Sequence, residues 1–169
     1  MGFCQQYGPW ALITGASAGL GAEFARQLAA RGLHVVLIAR RADRLQALAD
    51  EIRQTHGAQT RVLAEDLTAP GACGRIAAAV ADLKIGLLVN NAGFGVFGPY
   101  QELPAERQVQ MAVLNCVVPV DLTNRLLPPM LARKSGGVIF LGSTAAYQPC
   151  PTFAVYGATK AFNLMLGEA

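Results

Sequence analysis

Tyr156 and Lys160 are four residues apart near the end of the sequence. On an α-helix, residues at this spacing share a face, so the Lys160 ammonium would reach whatever the Tyr156 hydroxyl contacts. A free phenol has a pKa of about 10, and a fixed positive charge nearby lowers that value by favouring the phenolate. The spacing therefore predicts an acid for proton exchange near neutral pH. An isolated pair of this type is more often a packing contact between two long side-chain stems. The other motifs in the sequence are therefore needed to choose between the two interpretations.

A glycine-rich stretch from Thr14 to Gly21 follows a short apolar run and precedes a helical pattern. A dinucleotide-binding fold places its phosphate-binding turn at this point. Glycine permits the close approach of a pyrophosphate, and the helix N-terminus offers free N–H groups. The spacing Gly-x-x-x-Gly-x-Gly departs from the common Gly-x-Gly-x-x-Gly, and a plain glycine-rich helix start is the alternative. The predicted cofactor contacts here are Gly15, Ser17, Gly19, Leu20 and Gly21.

The next apolar run, residues 34–39, ends in Arg40 and Arg41. Enzymes that use NAD generally carry Asp or Glu at this strand end for the ribose 2′-hydroxyl, whereas an arginine accommodates the 2′-phosphate of NADP. Asp43 comes later, inside the next helical pattern. The sequence therefore predicts NADP(H) in preference to NAD(H), with Arg40 as the main contact. A solvated basic turn is the alternative.

Short apolar runs alternate with helical patterns along the whole chain. The runs cover residues 10–14, 34–39, 60–64, 85–90 and 137–141, and the helical patterns between them cover about 20–31, 43–56, 72–83 and 105–134. This alternation predicts right-handed βαβ units and a parallel sheet with helices on both faces. We therefore predict an α/β fold, a doubly wound Rossmann-type domain over residues 1–169.

The composition excludes several classes of protein. Hydrophobic residues make up 53% and charged residues 15% of the 169 residues, which is typical of a globular chain with a large core. No apolar run reaches the roughly 18 residues of a membrane span, and the start lacks a secretory signal, so we predict a cytoplasmic protein without a span. The net charge of +3 is dispersed, so no nucleic-acid partner is predicted. Four widely spaced cysteines match no zinc site, and no metal is predicted.

The motifs Thr14–Gly21, Asn90-Asn91-Ala92-Gly93, Ser143 and Tyr156-x-x-x-Lys160 occur in this order, and together they resemble the short-chain dehydrogenase/reductase family. The match runs from about residue 9 to the last residue. The family's strand order implies 3-2-1-4-5 for the strands present here. Family members generally continue through further strands and a substrate-covering loop, so the resemblance implies a domain that lacks the C-terminal part. Whether the sequence is a fragment or a natural truncation stays open.

The resemblance implies four catalytic residues: Asn115, Ser143, Tyr156 and Lys160. Ser143 would hydrogen-bond the substrate carbonyl, with Thr144 as the less favoured alternative. Tyr156 would donate a proton to the developing alkoxide while the nicotinamide delivers hydride. Lys160 would lower the pKa of Tyr156 and hold the nicotinamide ribose.

The resemblance also adds cofactor contacts outside the glycine turn. In the family the Asn-Asn-Ala-Gly segment supports the sheet and borders the adenosine, and Asp66 resembles the carboxylate that meets the adenine amino group. Capping of a strand end is an equal alternative for Asn90 and Asp66. The contacts implied in this way are Asp66, Leu67, Asn90, Ala92 and Gly93, together with Tyr156 and Lys160.

Asn115 lies in a helical pattern four residues before Pro119. Proline has no N–H, so the usual helical donor to the Asn115 carbonyl is missing. In the family the main-chain carbonyl of this asparagine holds a water that links the lysine to solvent. We therefore expect Pro119 to keep that carbonyl open for a proton relay from Lys160, with a plain proline kink as the alternative.

The segments 94–100 and 148–151 are aromatic, apolar and nearly uncharged, and they follow predicted strands. Because loops at the carboxyl ends of strands form the binding crevice in such a sheet, we predict a small apolar carbonyl or alcohol substrate. Ordinary loop packing explains the aromatic residues about as well. The leading function is an NADPH-dependent carbonyl reductase or alcohol dehydrogenase, and the alternative is a non-catalytic nucleotide-binding domain. A homo-oligomer is implied by the resemblance alone.

Overall fold

Five parallel strands form the centre of the protein in the computed structural model, which describes residues 2–169. They are β1 (Trp10–Thr14), β2 (His34–Ala39), β3 (Thr60–Ala64), β4 (Ile85–Asn90) and β5 (Gly137–Phe140). The strand order is β3-β2-β1-β4-β5, and every neighbouring pair is parallel. The predicted fold class and strand order are confirmed.

Helices cover both faces of this sheet. They are α1 (Phe3–Tyr7), α2 (Gly19–Ala30), α3 (Ala42–His56), α4 (Ala72–Ala79), α5 (Ala105–Ala112), α6 (Val118–Arg133) and α7 (Ala154–Glu168). α4 ends before the predicted residue 83, because the chain turns back toward β4 with the Leu83 N–H bonded to the Val80 carbonyl at 2.9 Å. No helix within residues 2–169 has the length and hydropathy needed to cross a membrane.

The central strands β1, β2 and β4 are mostly apolar because both of their faces are covered. All five residues of β1 are buried. Ala11 and Ile13 pack with α2 and α3, whereas Trp10 and Leu12 pack with α4 and α6. Fully burying one such aliphatic side chain stabilises the fold by about 1.5–3 kcal/mol. The sheet is therefore a rigid base for the loops at its carboxyl edge.

The predicted helix over residues 105–134 is interrupted by one wider turn. Residues 113–117 lie between α5 and α6 and form i→i+5 hydrogen bonds, as in the bond from the Val118 N–H to the Val113 carbonyl. Pro119 is the second residue of α6, at the position where an ordinary helix would need its missing N–H. Wider turns of this type are frequent at functional sites, and this one contains Asn115.

Candidate active site

Two adjoining cavities lie at the carboxyl edge of the sheet, where the strand order reverses between β1 and β4. Ligands of open α/β sheets bind at this point. The first cavity, of about 250 Å³, lies among the glycine turn, the end of β2 and the loops after β3 and β4. The second, of about 580 Å³, extends from the glycine turn to the start of α7. The two cavities share Gly15, Ala18, Ala92, Gly93 and Phe94.

The glycine turn has the close packing that its sequence predicts. Gly15 has a φ of +68°, a conformation that residues with a side chain rarely adopt. A Cβ on Gly21 would lie 2.4 Å from the Gly15 carbonyl oxygen and 2.5 Å from Asn91 Nδ2. The first turn of α2 is thus pressed against the loop that precedes it. A helix N-terminus offers free N–H groups of the kind that a pyrophosphate site uses.

Two arginines at the end of β2 line the first cavity. Arg40 and Arg41 both line it, and Arg41 Nη2 donates to Ser17 Oγ at 3.0 Å. Asp66 and Leu67, which follow β3, also line this cavity. Arg40 is the predicted main contact, and in the structure Arg41 lies beside it and is hydrogen-bonded to the glycine turn.

Asp66 serves as a cap and also lines the first cavity. Its carboxylate accepts from the Thr68 N–H at 2.9 Å and from Thr68 Oγ1 at 2.8 Å. These two hydrogen bonds, with a smaller contribution from the charge of Arg40, hold the pKa of Asp66 below its ordinary value. The carboxylate is therefore ionised and available as an acceptor at neutral pH.

Tyr156 and Lys160 both line the second cavity from α7. Lys160 is only 7% exposed, and its Nζ donates to the Leu141 carbonyl at 2.7 Å. The same nitrogen lies 5.8 Å from the centre of the Tyr156 ring. Burial lowers the pKa of Lys160, and the nearby Cys116 opposes that shift. The predicted pair is thus brought together, with the ammonium fixed by a strand-end carbonyl.

Ser143 lies just beyond β5 and caps the short turn Thr144–Ala146. Its Oγ accepts from the Ala145 N–H at 3.2 Å, which leaves the hydroxyl proton free for another acceptor. Gly142 and Leu141 line the second cavity, whereas Ser143 is adjacent to that lining.

A model of the short chain dehydrogenase family matches residues 9–169. The chain belongs to this family. It is 40% identical over 160 residues to the very-long-chain 3-oxoacyl-CoA reductase of Podospora anserina, covering 92% of this chain and 47% of that one. It is 36% identical over 169 residues to the 7beta-hydroxysteroid dehydrogenase of Collinsella aerofaciens, covering all of this chain and 64% of the other.

A solved short-chain dehydrogenase from Sphingobium yanoikuyae, in complex with NADPH, superimposes with a TM-score of 0.90. It is 35% identical in sequence, and the match covers 95% of this chain and 63% of that one. The present chain thus spans about half to two thirds of the length of the relatives it matches.

In this short-chain dehydrogenase the side chain of Asn115 links three parts of the site. Asn115 is 1% exposed, and its Nδ2 donates to the Phe94 carbonyl at 3.0 Å while its Oδ1 accepts from the Phe94 N–H at 3.2 Å. The same Nδ2 donates to Thr159 Oγ1 at 3.0 Å. A Cβ on Gly93 would lie 2.9 Å from Asn115 Oδ1. The predicted relay through the Asn115 main-chain carbonyl stays a prediction. The Asn115 side chain connects the loop after β4 to α7.

The two asparagines at the end of β4 point to different places. Asn90 is 5% exposed, and its Nδ2 donates to Thr123 Oγ1 on α6 at 3.3 Å. Asn90 is absent from the lining of both cavities, whereas Asn91 lines the second. Asn91 Nδ2 also donates to the Thr14 carbonyl at 2.8 Å. The predicted cofactor contact of Asn90 stays a prediction, and Asn91 is the asparagine that lines the second cavity.

Thr14 connects two loops of the site, a role that its sequence position does not predict. Its Oγ1 donates to the Val89 carbonyl at 3.2 Å and accepts from the N–H groups of Asn91 at 3.0 Å and Ala92 at 2.9 Å. One hydroxyl therefore fastens the start of the glycine turn to the loop after β4. A threonine at the end of a buried strand was the only signal in the sequence.

We expect Thr159→Val to destabilise the fold by about 1–3 kcal/mol, the usual cost of leaving a buried polar group without its partner. Thr159 is 4% exposed, and its Oγ1 donates to the Tyr156 carbonyl at 2.8 Å while it accepts from Asn115. Valine keeps the shape but removes both hydrogen bonds. Thermal unfolding measures the loss, which corresponds to about 2–4 °C in Tm per kcal/mol for a domain of this size.

Thr159→Ser is the matched control, because serine keeps the hydroxyl and loses only a methyl group. Its Tm should lie nearer to the parent value than that of Thr159→Val. A smaller loss in Thr159→Val than in Thr159→Ser would show that the methyl group, rather than the hydroxyl, carries the stabilisation.

Proposed function

We propose that this short-chain dehydrogenase is an NADP(H)-dependent oxidoreductase that interconverts a carbonyl and an alcohol, with Tyr156 as the proton donor and acceptor. The observation that carries the proposal is the continuity of the two cavities. The glycine turn and the arginines line one end, and Tyr156 with Lys160 line the other. A phosphate-binding turn and a proton donor thus belong to one crevice.

The residues of the first cavity suit the adenosine half of NADP(H). Arg40 and Arg41 offer paired donors for a 2′-phosphate, and guanidinium groups favour phosphate oxygens. Asp66 is an ionised acceptor at the place where an adenine amino group would donate. Gly15 and Gly21 let the glycine turn and the N-terminus of α2 pack closely together, and a helix N-terminus favours a pyrophosphate.

The nicotinamide half fits the second cavity, where Tyr156 and Lys160 would hold its ribose. When bound, the nicotinamide supplies or accepts the hydride. Tyr156 gives its proton to the developing alkoxide, and Lys160 stabilises the resulting phenolate by its charge. The Ser143 hydroxyl, whose proton is free, donates to the substrate carbonyl oxygen. The Leu141 carbonyl keeps the ammonium in place.

An apolar carbonyl or alcohol is the proposed substrate class. Phe94, Phe153 and Leu20 line the second cavity, and Lys160 is the only charged residue among the described residues of that lining. Two relatives, a 7beta-hydroxysteroid dehydrogenase and a very-long-chain 3-oxoacyl-CoA reductase, carry names that refer to a hydroxyl or an oxo group. These features together support reduction of a ketone by NADPH.

We also propose a homo-oligomer. Val109, Val117 and Met165 lie on or between α5, α6 and α7 and expose 58–63% of their surface. Apolar side chains gathered on neighbouring helices favour association with a second copy. Analytical ultracentrifugation of the purified chain tests this, and a monomer at micromolar concentration would contradict it.

Purified protein incubated with NADPH and a panel of apolar ketones tests the proposed activity, with loss of the NADPH absorbance as the readout. We expect turnover, and faster turnover with NADPH than with NADH. Binding of NADPH without oxidation by any ketone would instead favour the non-catalytic nucleotide-binding domain.

We expect the double substitution Arg40→Ala and Arg41→Ala to weaken NADPH binding at least about 10-fold, since charge-assisted hydrogen bonds contribute about 1.5–3 kcal/mol each. NADH binding should change little, because NADH has no 2′-phosphate. Calorimetric titration of both cofactors measures the two affinities. The single substitutions should show whether Arg40 or Arg41 contributes more.

Arg44→Ala removes the same charge from the exposed surface of α3, away from the lining of the first cavity. It is expected to leave the preference for NADPH over NADH unchanged. Comparable affinities for both cofactors in the parent protein would overturn the proposed preference.

A further inference from the structure

Three aromatic side chains lie in sequence from the second cavity to the protein surface: Tyr156, Phe153 and Phe97. We call these three residues the aromatic track. The ring centres of Phe97 and Phe153 are 5.1 Å apart, and those of Phe153 and Tyr156 are 5.3 Å apart. Both separations fall in the range of favourable aromatic contacts. Phe153 and Tyr156 line the second cavity, and Phe97 is 69% exposed at the outer end.

The position of Phe153 is fixed by an unusual backbone turn directly before it. Thr152 has a φ of +67°, which is rare for a residue with a β-branched side chain. Its carbonyl accepts from the Gly98 N–H at 3.0 Å, so the loop after β4 is tied to the loop before α7. Strained residues persist where the surrounding structure holds them, and they cluster at functional sites. Here the turn presents Phe153 one helical turn before Tyr156.

Gly95 brings the loop after β4 against the track. A Cβ at this position would lie 3.1 Å from Tyr156 Cδ2 and 3.4 Å from Phe153 Cε1. Because glycine has no side chain, the backbone can approach the edges of both rings. The two rings therefore form an ordered wall of the second cavity.

We propose that the aromatic track determines substrate specificity, with Phe153 as the surface on which a ring-containing apolar ketone lies while its carbonyl reaches Tyr156. This inference rests on the proposed function. An aromatic ring in the substrate can make offset or edge-to-face contacts with Phe153, whereas an open alkyl chain makes only dispersion contacts. The aromatic track thus favours a ketone with fused rings over a ketone with an open chain.

Two ketones with ten carbon atoms test this selection: tetralone, which has fused rings, and decanone, which is an open chain. Their affinities for the protein with NADP⁺ bound are measured by calorimetry, and kcat/KM with NADPH is measured in parallel. Phe153→Leu is expected to reduce the preference for tetralone over decanone by about 3- to 10-fold, the range of one aromatic contact. Phe153→Tyr keeps a ring and should retain the preference.

Phe162→Leu is the matched control, since it makes the same change on α7 at a residue outside the cavity lining. It should leave the preference unchanged. If Phe153→Leu fails to fold, Phe97→Leu at the exposed outer end tests the same track, and a smaller shift in the same direction is expected. An unchanged preference in the folded track variant overturns the inference.

The outcomes separate this inference from the proposed function. If NADPH is not oxidised but Phe153→Leu changes the ratio of the two ketone affinities, the proposed activity is overturned and the aromatic track is supported. Turnover of both ketones with an unshifted ratio would support the activity and overturn the track. A parent protein that binds neither ketone would overturn the track directly.

Discussion

Tyr156→Phe is expected to lower kcat by about 100- to 10,000-fold, the usual contribution of general acid catalysis. The substitution removes only the phenolic oxygen, so the ring keeps its contact with Phe153 at 5.3 Å between centres. Lys160 Nζ also keeps its hydrogen bond to the Leu141 carbonyl. Tm should therefore stay close to the parent value, and NADPH binding should weaken far less than kcat, because only the hydrogen bond from the phenol to the ribose is lost. Steady-state kinetics with calorimetric titration of NADPH separate the loss of chemistry from a loss of binding.

Tyr147→Phe is the control for this substitution. Tyr147 is 76% exposed and lies outside the lining of the second cavity. The same deletion of one oxygen should leave kcat unchanged there. Full activity in Tyr156→Phe would show that another group donates the proton, and equal losses in both variants would point to a general effect on the loop and α7.

Gly21→Ala is expected to weaken NADPH binding more than 10-fold, about 1.4 kcal/mol or more, and to lower the Tm. The new Cβ would lie 2.4 Å from the Gly15 carbonyl oxygen, which is backbone and cannot rotate away. The glycine turn must move, and overpacking of this type costs about 1–3 kcal/mol. Alanine's better helix propensity offsets at most about 1 kcal/mol of that cost. Calorimetry with NADPH and thermal unfolding measure the two effects.

Gly142→Ala provides the comparison for stability. A Cβ at Gly142 meets no atom within 4 Å, so its Tm should stay near that of the parent. A Gly21→Ala protein with the parent Tm and NADPH affinity would show that the turn accepts a side chain. The close approach of α2 to Gly15 would then be dispensable for the cofactor site.

The parallel sheet and the order of the motifs along the chain could be predicted from the amino-acid sequence. Strands buried on both faces must be continuous apolar runs, and β1, β2 and β4 are such runs. The glycine turn was recognisable because a tight turn between a strand and a helix restricts the residue type locally. The Tyr156 and Lys160 pair was recognisable because helical spacing places both side chains on one face.

The polar side chains that connect the parts of the site could be identified only in the folded chain. The bond from Asn91 to Thr14 joins residues 77 apart in the sequence, and the bond from Asn115 to Thr159 joins residues 44 apart. No local pattern encodes such partners. Neighbouring residues at a strand end also point to opposite sides, so Asn90 and Asn91 could be assigned to α6 and to the cavity only from the strand register. Residue type determines local backbone preference, so turns and helices can be predicted from the sequence. The pairing of distant polar groups depends on how the helices and strands pack.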